Sequence, residues 1–325
     1  MPRMNFRMMR TKMVFEVLTE LFATHMFELG NALNLTLKTG GEETVLPSLS
    51  VGINGDIMGG MKAPIEIGRR RVDIAYVNPS PIVTMAYRGK GFYKEKLALR
   101  ALASFPSWDR VALVVSKDLK LKSLFDVLHR RIPLRVSTRA SGVHNTTYYT
   151  VSKILSLYGL SFSKIKRWGG VVEECPHPSS PQRGHSIENR EVDAIFDEGI
   201  RRKDGWLSQA LENGYELLSI EPRIINSLEK MGYERAIIPK AQFKKLAEDV
   251  MTIDFSGWPL ITHKWLGDNI AYAICEAIDA RKHAIPVDDD LPLDVKNLCK
   301  DSDSGPVKIP FHPGAVKFYR EKGYL

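Results

Sequence analysis

The sequence predicts an α/β protein of two domains, and three observations carry that expectation. The chain has 325 residues, room for two cores of ordinary size. Strand-like and helix-like stretches alternate along most of it. Three strand-like runs end in polar loops of the kind that open α/β sheets use for ligands: Asn78-Pro79-Ser80, the 139–147 loop, and Asp197-Glu198-Gly199.

Composition narrows the function classes. Hydrophobic residues make up 44% of the chain and charged residues 26%, as in an ordinary globular protein. The formal net charge is +8 and the isoelectric point about 9.2. The basic runs at 69–71, 129–131 and 201–203 are short and lack interleaved aromatics, so they read as solvated surface and no nucleic-acid partner is expected. Cys175, Cys275 and Cys299 lie far apart and form no CxxC pair. Neither a metal site nor a cofactor is expected, and a reducing compartment fits.

In chain order, the basic start MPRMNFRMMRTK is followed by a stretch that Glu16 and Glu20 interrupt, with no small-residue cleavage site. Val14, Val17, Leu18, Leu21, Phe22 and Leu29 give it the stripe of an amphipathic helix ending at Gly30. As written, the sequence predicts a cytoplasmic protein. Leu33, Leu35 and Leu37 alternate as in a strand that Gly40-Gly41 ends, and 45–53 is compatible with another. Gly59-Gly60 reads as a turn opening a short helix that carries Lys62, and 72–77 as a buried strand. Asn78 and Ser80 at its end are candidate ligand contacts, or simply turn residues.

Strands are expected at 97–105 and 111–116, then a helix with Leu121, Leu124, Phe125 and Leu128 inward. The stretch PLRVSTRASGVHNTTYYTVSKILSLYG, residues 133–159, reads as strand, turn and helix. Its helix start presents unpaired N–H groups and partial positive charge, which can hold a carboxylate or phosphate. Ser141, Gly142, Asn145 and Thr146 line that turn, and Arg139 can offer a planar donor fork. The same residues also suit a plain helix cap, with Arg139 solvated.

Residues 164–172 read as a strand and 173–190 as a polar, proline-rich loop containing His177. Strand 192–196 ends in Asp197-Glu198, a pair suited to general acid/base work or to complementing a helix dipole. Further on, a helix at 206–211, a strand at 215–220, a short helix at 224–231 and a helix at 267–281 are expected, with an extended tail at 284–306.

Several segments, in this order, resemble the TAXI family of solute receptors that serve TRAP-type transporters. They are GGMKAPIEIGRRRVDIAYV, VSTRASGVHNTTYYTVSKILSLYGL, EVDAIFDEGI, IIPKAQF and, most specifically, IPFHPGAVKFYRE near the end. The resemblance covers roughly residues 55–321. It implies a two-lobed type II periplasmic-binding-protein-like fold, one lobe from 1–116 and 250–325 and the other from 117–249. It further implies a cleft that holds a small carboxylate-bearing molecule, with Gly59, Gly60, Lys62, Asn78, Ser80, Arg139, Ser141, Gly142, Asn145 and Thr146 as binding residues. TRAP membrane subunits would be partners of an exported form, and no oligomeric state is implied. The alternative is a cytoplasmic decarboxylase or lyase on the same fold, acting on an aromatic or dicarboxylic acid. Asp197 or Glu198 would then be the acid/base, with His144 or His177 polarising the substrate.

Overall fold

The computed structural model describes residues 35–39, 49–53, 55–142, 145–201, 204–283 and 293–325, of which 35–39, 49–53 and 55–59 are described by backbone alone. The expected helix over residues 14–29 and the residue His144 lie outside this set. The chain divides into two compact units, Met1–Trp108 with Ser256–Leu325, and Asp109–Phe255. It crosses between them twice, after Trp108 and after Phe255. The α/β class is as expected.

The first unit is built on a sheet of order β2-β1-β3-β12-β4, from β1 (Leu35–Thr39), β2 (Leu49–Ile53), β3 (Ile74–Tyr76), β4 (Leu99–Phe105) and β12 (Trp258–His263). β12 runs antiparallel to both neighbours, placing Leu260 opposite Tyr76 and Trp258 opposite Phe105. Helices α1 (Gly55–Gly68) and α2 (Ser80–Arg88) flank β3 in the chain, and α9 (Asp268–Arg281) and α10 (Pro313–Glu321) follow β12. The core joins the β4 and β12 residues Leu102, Phe105 and Leu260 to Ile274, Ile278, Phe318 and Tyr319 of the last two helices. Burial of this apolar surface is the main stabilising term. Tyr319 is nearly fully buried and answers its polar end by donating to Leu102 O at 2.8 Å. The IPFHPGAV segment serves this packing: His312 caps α10, and a Cβ at Gly314 would lie 2.0 Å from Asp268 O. Only glycine permits that approach of the two helices.

The second unit has a sheet of order β7-β6-β8-β5-β9, from β5 (Ala112–Ser116), β6 (Arg135–Arg139), β7 (Val171–Cys175), β8 (Ala194–Asp197) and β9 (Tyr215–Leu217). β6 is parallel to β7 and β8, so their carboxyl ends share one edge, while antiparallel β5 begins at that edge. Its helices are α3 (Leu124–Arg130), α4 (Thr146–Leu157), α5 (Phe162–Arg167), α6 (Pro181–Glu188), α7 (Trp206–Glu212) and α8 (Pro222–Glu229). A separate ribbon pairs β10 (Arg235–Ile238) with β11 (Val250–Ile253).

Five expectations change. Gly59 and Gly60 form no turn and lie inside α1. Residues 164–172 do not form a strand: Ser161 caps α5, Phe162 and Ile165 turn inward at helical spacing, and β7 begins only at Val171. The 173–190 stretch is not one loop, because the end of β7 and then α6 occupy most of it, with Pro181 in the first turn where its missing N–H costs nothing. The lobe boundaries move as well. β5 hydrogen-bonds to β8 and β9, and β11 to β10, so both strands belong to the second unit, which spans 109–255 and not 117–249. Finally, Ser80 is the first residue of helix α2 and not part of the loop, which Val77, Asn78 and Pro79 form.

Candidate functional site

At the shared carboxyl edge of the second unit's sheet, buried charges concentrate. Arg139 ends β6, Asp197 ends β8 with Glu198 next, and Asp109 and Arg110 precede β5. All five are buried, as is Arg183 on the inner face of α6. Charges removed from water must be paired, and three guanidinium–carboxylate pairs do this. Arg183 Nη1 donates to Asp197 Oδ2, with both side chains at 0% exposure. Arg139 Nη2 lies 3.3 Å from Glu198 Oε1, and Arg110 Nη1 donates to Asp254 Oδ1 at 2.6 Å.

Asp109 organises the backbone after β8. Its carboxylate accepts the N–H groups of Arg110 (2.8 Å), Gly199 (3.1 and 2.9 Å) and Ile200 (3.1 Å). Burial and then the adjacent Glu198 carboxylate push the Asp109 carboxyl well above its ordinary range, while Arg201 and the Ile200 N–H pull it back. The Asp197 carboxyl is raised in the same direction, chiefly by burial, against the opposing effect of Arg183 and Arg139.

Helix α4 starts at this edge. Asn145 Oδ1 accepts from Tyr148 N–H at 2.9 Å, the ordinary cap geometry. Among the described residues, the N–H groups of Thr146 and Thr147 meet no acceptor. Thr147 Oγ1 donates to Glu198 Oε1 at 3.4 Å, which brings the α4 start and the Arg139–Glu198 pair together. Arg139 is 5% exposed, yet among the described residues its Nε and Nη1 meet no partner. Two buried donors of a permanent cation, beside a helix N-terminus, can receive an anion.

The other expected residues of this unit lie close in sequence but differ in role. Ser141 gives both its N–H and its Oγ to Glu174 Oε2, each at 2.7 Å, and the N–H lowers the Glu174 carboxyl. Gly142 is exposed. His177 is half-buried and its basicity is lowered by burial and then by Arg139. Its Nδ1 accepts the Ser179 N–H at 3.1 Å, so the neutral ring carries its proton on Nε2.

Within the first unit, Asn78 Nδ2 donates to Gly257 O at 3.1 Å, and Ser80 N–H to Ser256 O at 3.0 Å. The start of α2 is thereby closed: Pro81 has no N–H and Ile82 N–H turns back to Pro79 O. Among the described residues Ser80 Oγ is buried without a partner. Lys62 is half-buried on α1, a few residues past Gly59 and Gly60. Among the described residues no group of His, Cys, Asp and Glu is arranged to hold a metal ion.

Sequence reasoning missed Asp109 and Arg183. Asp109 lies in a turn with no motif around it. Arg183, Ser186 and Ile187 are the buried face of α6, and their i, i+3, i+4 spacing was the available signal.

The molecule is thus a two-unit α/β protein whose second sheet carries a buried, ion-paired carboxyl edge. The chain belongs to the NMT1-like family, whose model matches residues 48–323. It is also similar to several solved structures. One is described as a periplasmic transporter, at 15% identity over 82% of this chain and 79% of that one, with a TM-score of 0.36. Another is the L-cystine solute receptor of Neisseria gonorrhoeae, at 16% identity over 67% and 65% of the two chains, with a TM-score of 0.26. A TctC solute-binding protein from Polaromonas matches at 13% identity over 64% and 62%, with a TM-score of 0.34. The chain spans less than two thirds of the length of the last two.

Proposed function

We propose that this protein is a solute receptor for a small carboxylate-bearing organic molecule, anchored at the carboxyl edge of the second unit's sheet. The observation that carries this reading is Arg139, whose Nε and Nη1 are buried without partners beside the open first turn of α4. Leaving buried donors unpaired costs about 1–3 kcal/mol each, more for charged groups. A ligand carboxylate that accepts from Arg139 and from the Thr146 or Thr147 N–H recovers that cost and gains charge-assisted bonds. Asn145 holds the turn in place, and Glu198 holds the guanidinium.

The TAXI resemblance refines the reading to a receptor that works on the exported side of a membrane with TRAP-type subunits as partners, in place of the cytoplasmic expectation. The catalytic alternative gains no observation of its own, because the Asp197 carboxylate is occupied by Arg183 and by the Glu198 N–H.

The experiment is a thermal-shift screen against mono-, di- and aromatic carboxylic acids, repeated on Arg139→Ala. Ligand at a hundred times its Kd stabilises by about 2.7 kcal/mol, well within reach of the method. Acids that raise the melting temperature of the natural protein and not of the variant support the reading. It fails if no acid stabilises the protein, or if Arg139→Ala responds equally.

A further inference from the structure

One surface of the first unit brings together basic residues far apart in sequence. The end of α1 carries Arg69, Arg70 and Arg71, all exposed. Leu97 packs against it so closely that a Cβ at Gly68 would lie 3.1 Å from Leu97 Cδ2. Ala98 O accepts the Lys264 N–H at 2.9 Å, which brings the turn after β12 to the same place. Lys96 and Lys264 are exposed there too. Among them is Trp265, 49% exposed. The Arg70 guanidinium stands 5.7 Å from the centre of its ring and Lys264 Nζ 5.0 Å.

The five cations stand among acids that answer only part of their charge, with Asp268 exposed three residues past Trp265. Glu66 pairs with Arg71 at 3.3 Å, and Glu95 is exposed beside Lys96. Asp73 is engaged by His263 at 3.0 Å. Cation–π contact holds the indole in position but leaves half of it in water. An acidic protein surface would match the cations and leave the ring to find an apolar partner of its own. A lipid headgroup layer matches both, because phosphates take the cations while indole favours the depth where headgroups meet acyl chains.

We infer that the surface formed by Arg69, Arg70, Lys96, Lys264 and Trp265 docks on an anionic phospholipid surface. The inference is independent of the ligand site on the second unit.

The test is co-flotation of the full chain with vesicles of phosphatidylcholine alone and of phosphatidylcholine mixed with phosphatidylglycerol. The protein floats with the anionic vesicles only, and high salt releases it. Each cation near such a surface is worth about a fivefold change in partitioning, so Arg69→Gln with Arg70→Gln lowers it roughly thirtyfold. Trp265→Ala weakens binding and leaves its salt dependence intact. Unchanged melting temperatures show that these exposed substitutions spare the fold. Equal flotation on neutral vesicles overturns the inference, as does a double variant that floats like the natural protein. Absence of flotation on anionic vesicles also overturns it, and leaves the cluster to an acidic protein surface.

Discussion

Arg139 Nη2 lies 3.3 Å from Glu198 Oε1, with both side chains almost fully buried. The contact uses one of three guanidinium nitrogens and, among the described residues, leaves Nε and Nη1 without partners. Charge and donor geometry are therefore separable at this position. Lysine keeps the positive charge that Glu198 requires but lacks the planar set of donors. Arg139→Lys should hold its melting temperature close to the natural one while its affinity for a stabilising carboxylic acid falls roughly tenfold to a hundredfold, the worth of one charge-assisted bond. Calorimetric titration beside a melting curve checks both halves; equal loss of stability and affinity would mean that Arg139 is only a strut.

The Arg183–Asp197 pair should behave differently, because nothing there is left open to water. Removing one partner strands the other as a buried charge, which costs about 3–5 kcal/mol. Asp197→Ala should thus lower the free energy of urea unfolding by that amount. Replacing both residues with apolar ones of similar size should restore much of the loss, since the pair's attraction is offset by desolvation. A double variant no more stable than Asp197→Ala would show that Arg183 contributes more through Ser137, which its Nε reaches at 3.1 Å, and through the Trp206 ring.

How far this edge was legible in the sequence follows from the range of the signals involved. Arg139, Asn145 and Asp197-Glu198 were readable because each terminates a strand or opens a helix, and local patterns of apolar residues and caps mark such ends. The charge partners were not readable. Arg183 meets Asp197 only because α6 exists, and a proline-, serine- and histidine-rich stretch hid its helical period. Asp109 meets Gly199 across 90 residues of chain, a distance at which no periodicity speaks. The strand expected at 164–172 failed for a related reason. Ile165 and its neighbours are too few to separate period 2 from period 3.6, and the cap residue Ser161 was the deciding signal.

Gly314 offers a test of packing in the first unit. Helices α9 and α10 approach so closely that a methyl group there would lie 2.0 Å from Asp268 O, a backbone atom that cannot swing aside. Gly314→Ala gains helix propensity but forces the helices apart, with a net loss of about 1–3 kcal/mol expected for overpacking. Chemical denaturation checks the sign. A variant as stable as the natural protein would mean that the α9–α10 contact is far softer than its geometry implies.

Asp109 gives the pH dependence its sign. Its carboxyl is raised in the folded protein by burial and by Glu198, against about 3.9 in an unfolded chain. A group raised on folding contributes stability that is fully present below its unfolded value and is lost as pH rises through the folded one. The natural protein should therefore lose stability progressively from about pH 4 upward, through the raised titration of Asp109. Asp109→Asn keeps an oxygen to accept the Gly199 and Ile200 N–H groups and cannot ionise, so its melting temperature should depend less steeply on pH across that window. Melting curves of both proteins at closely spaced pH decide the matter. Parallel profiles would assign the titration to Asp197, whose carboxyl is raised in the same sense, and would leave Asp109 with the backbone role alone.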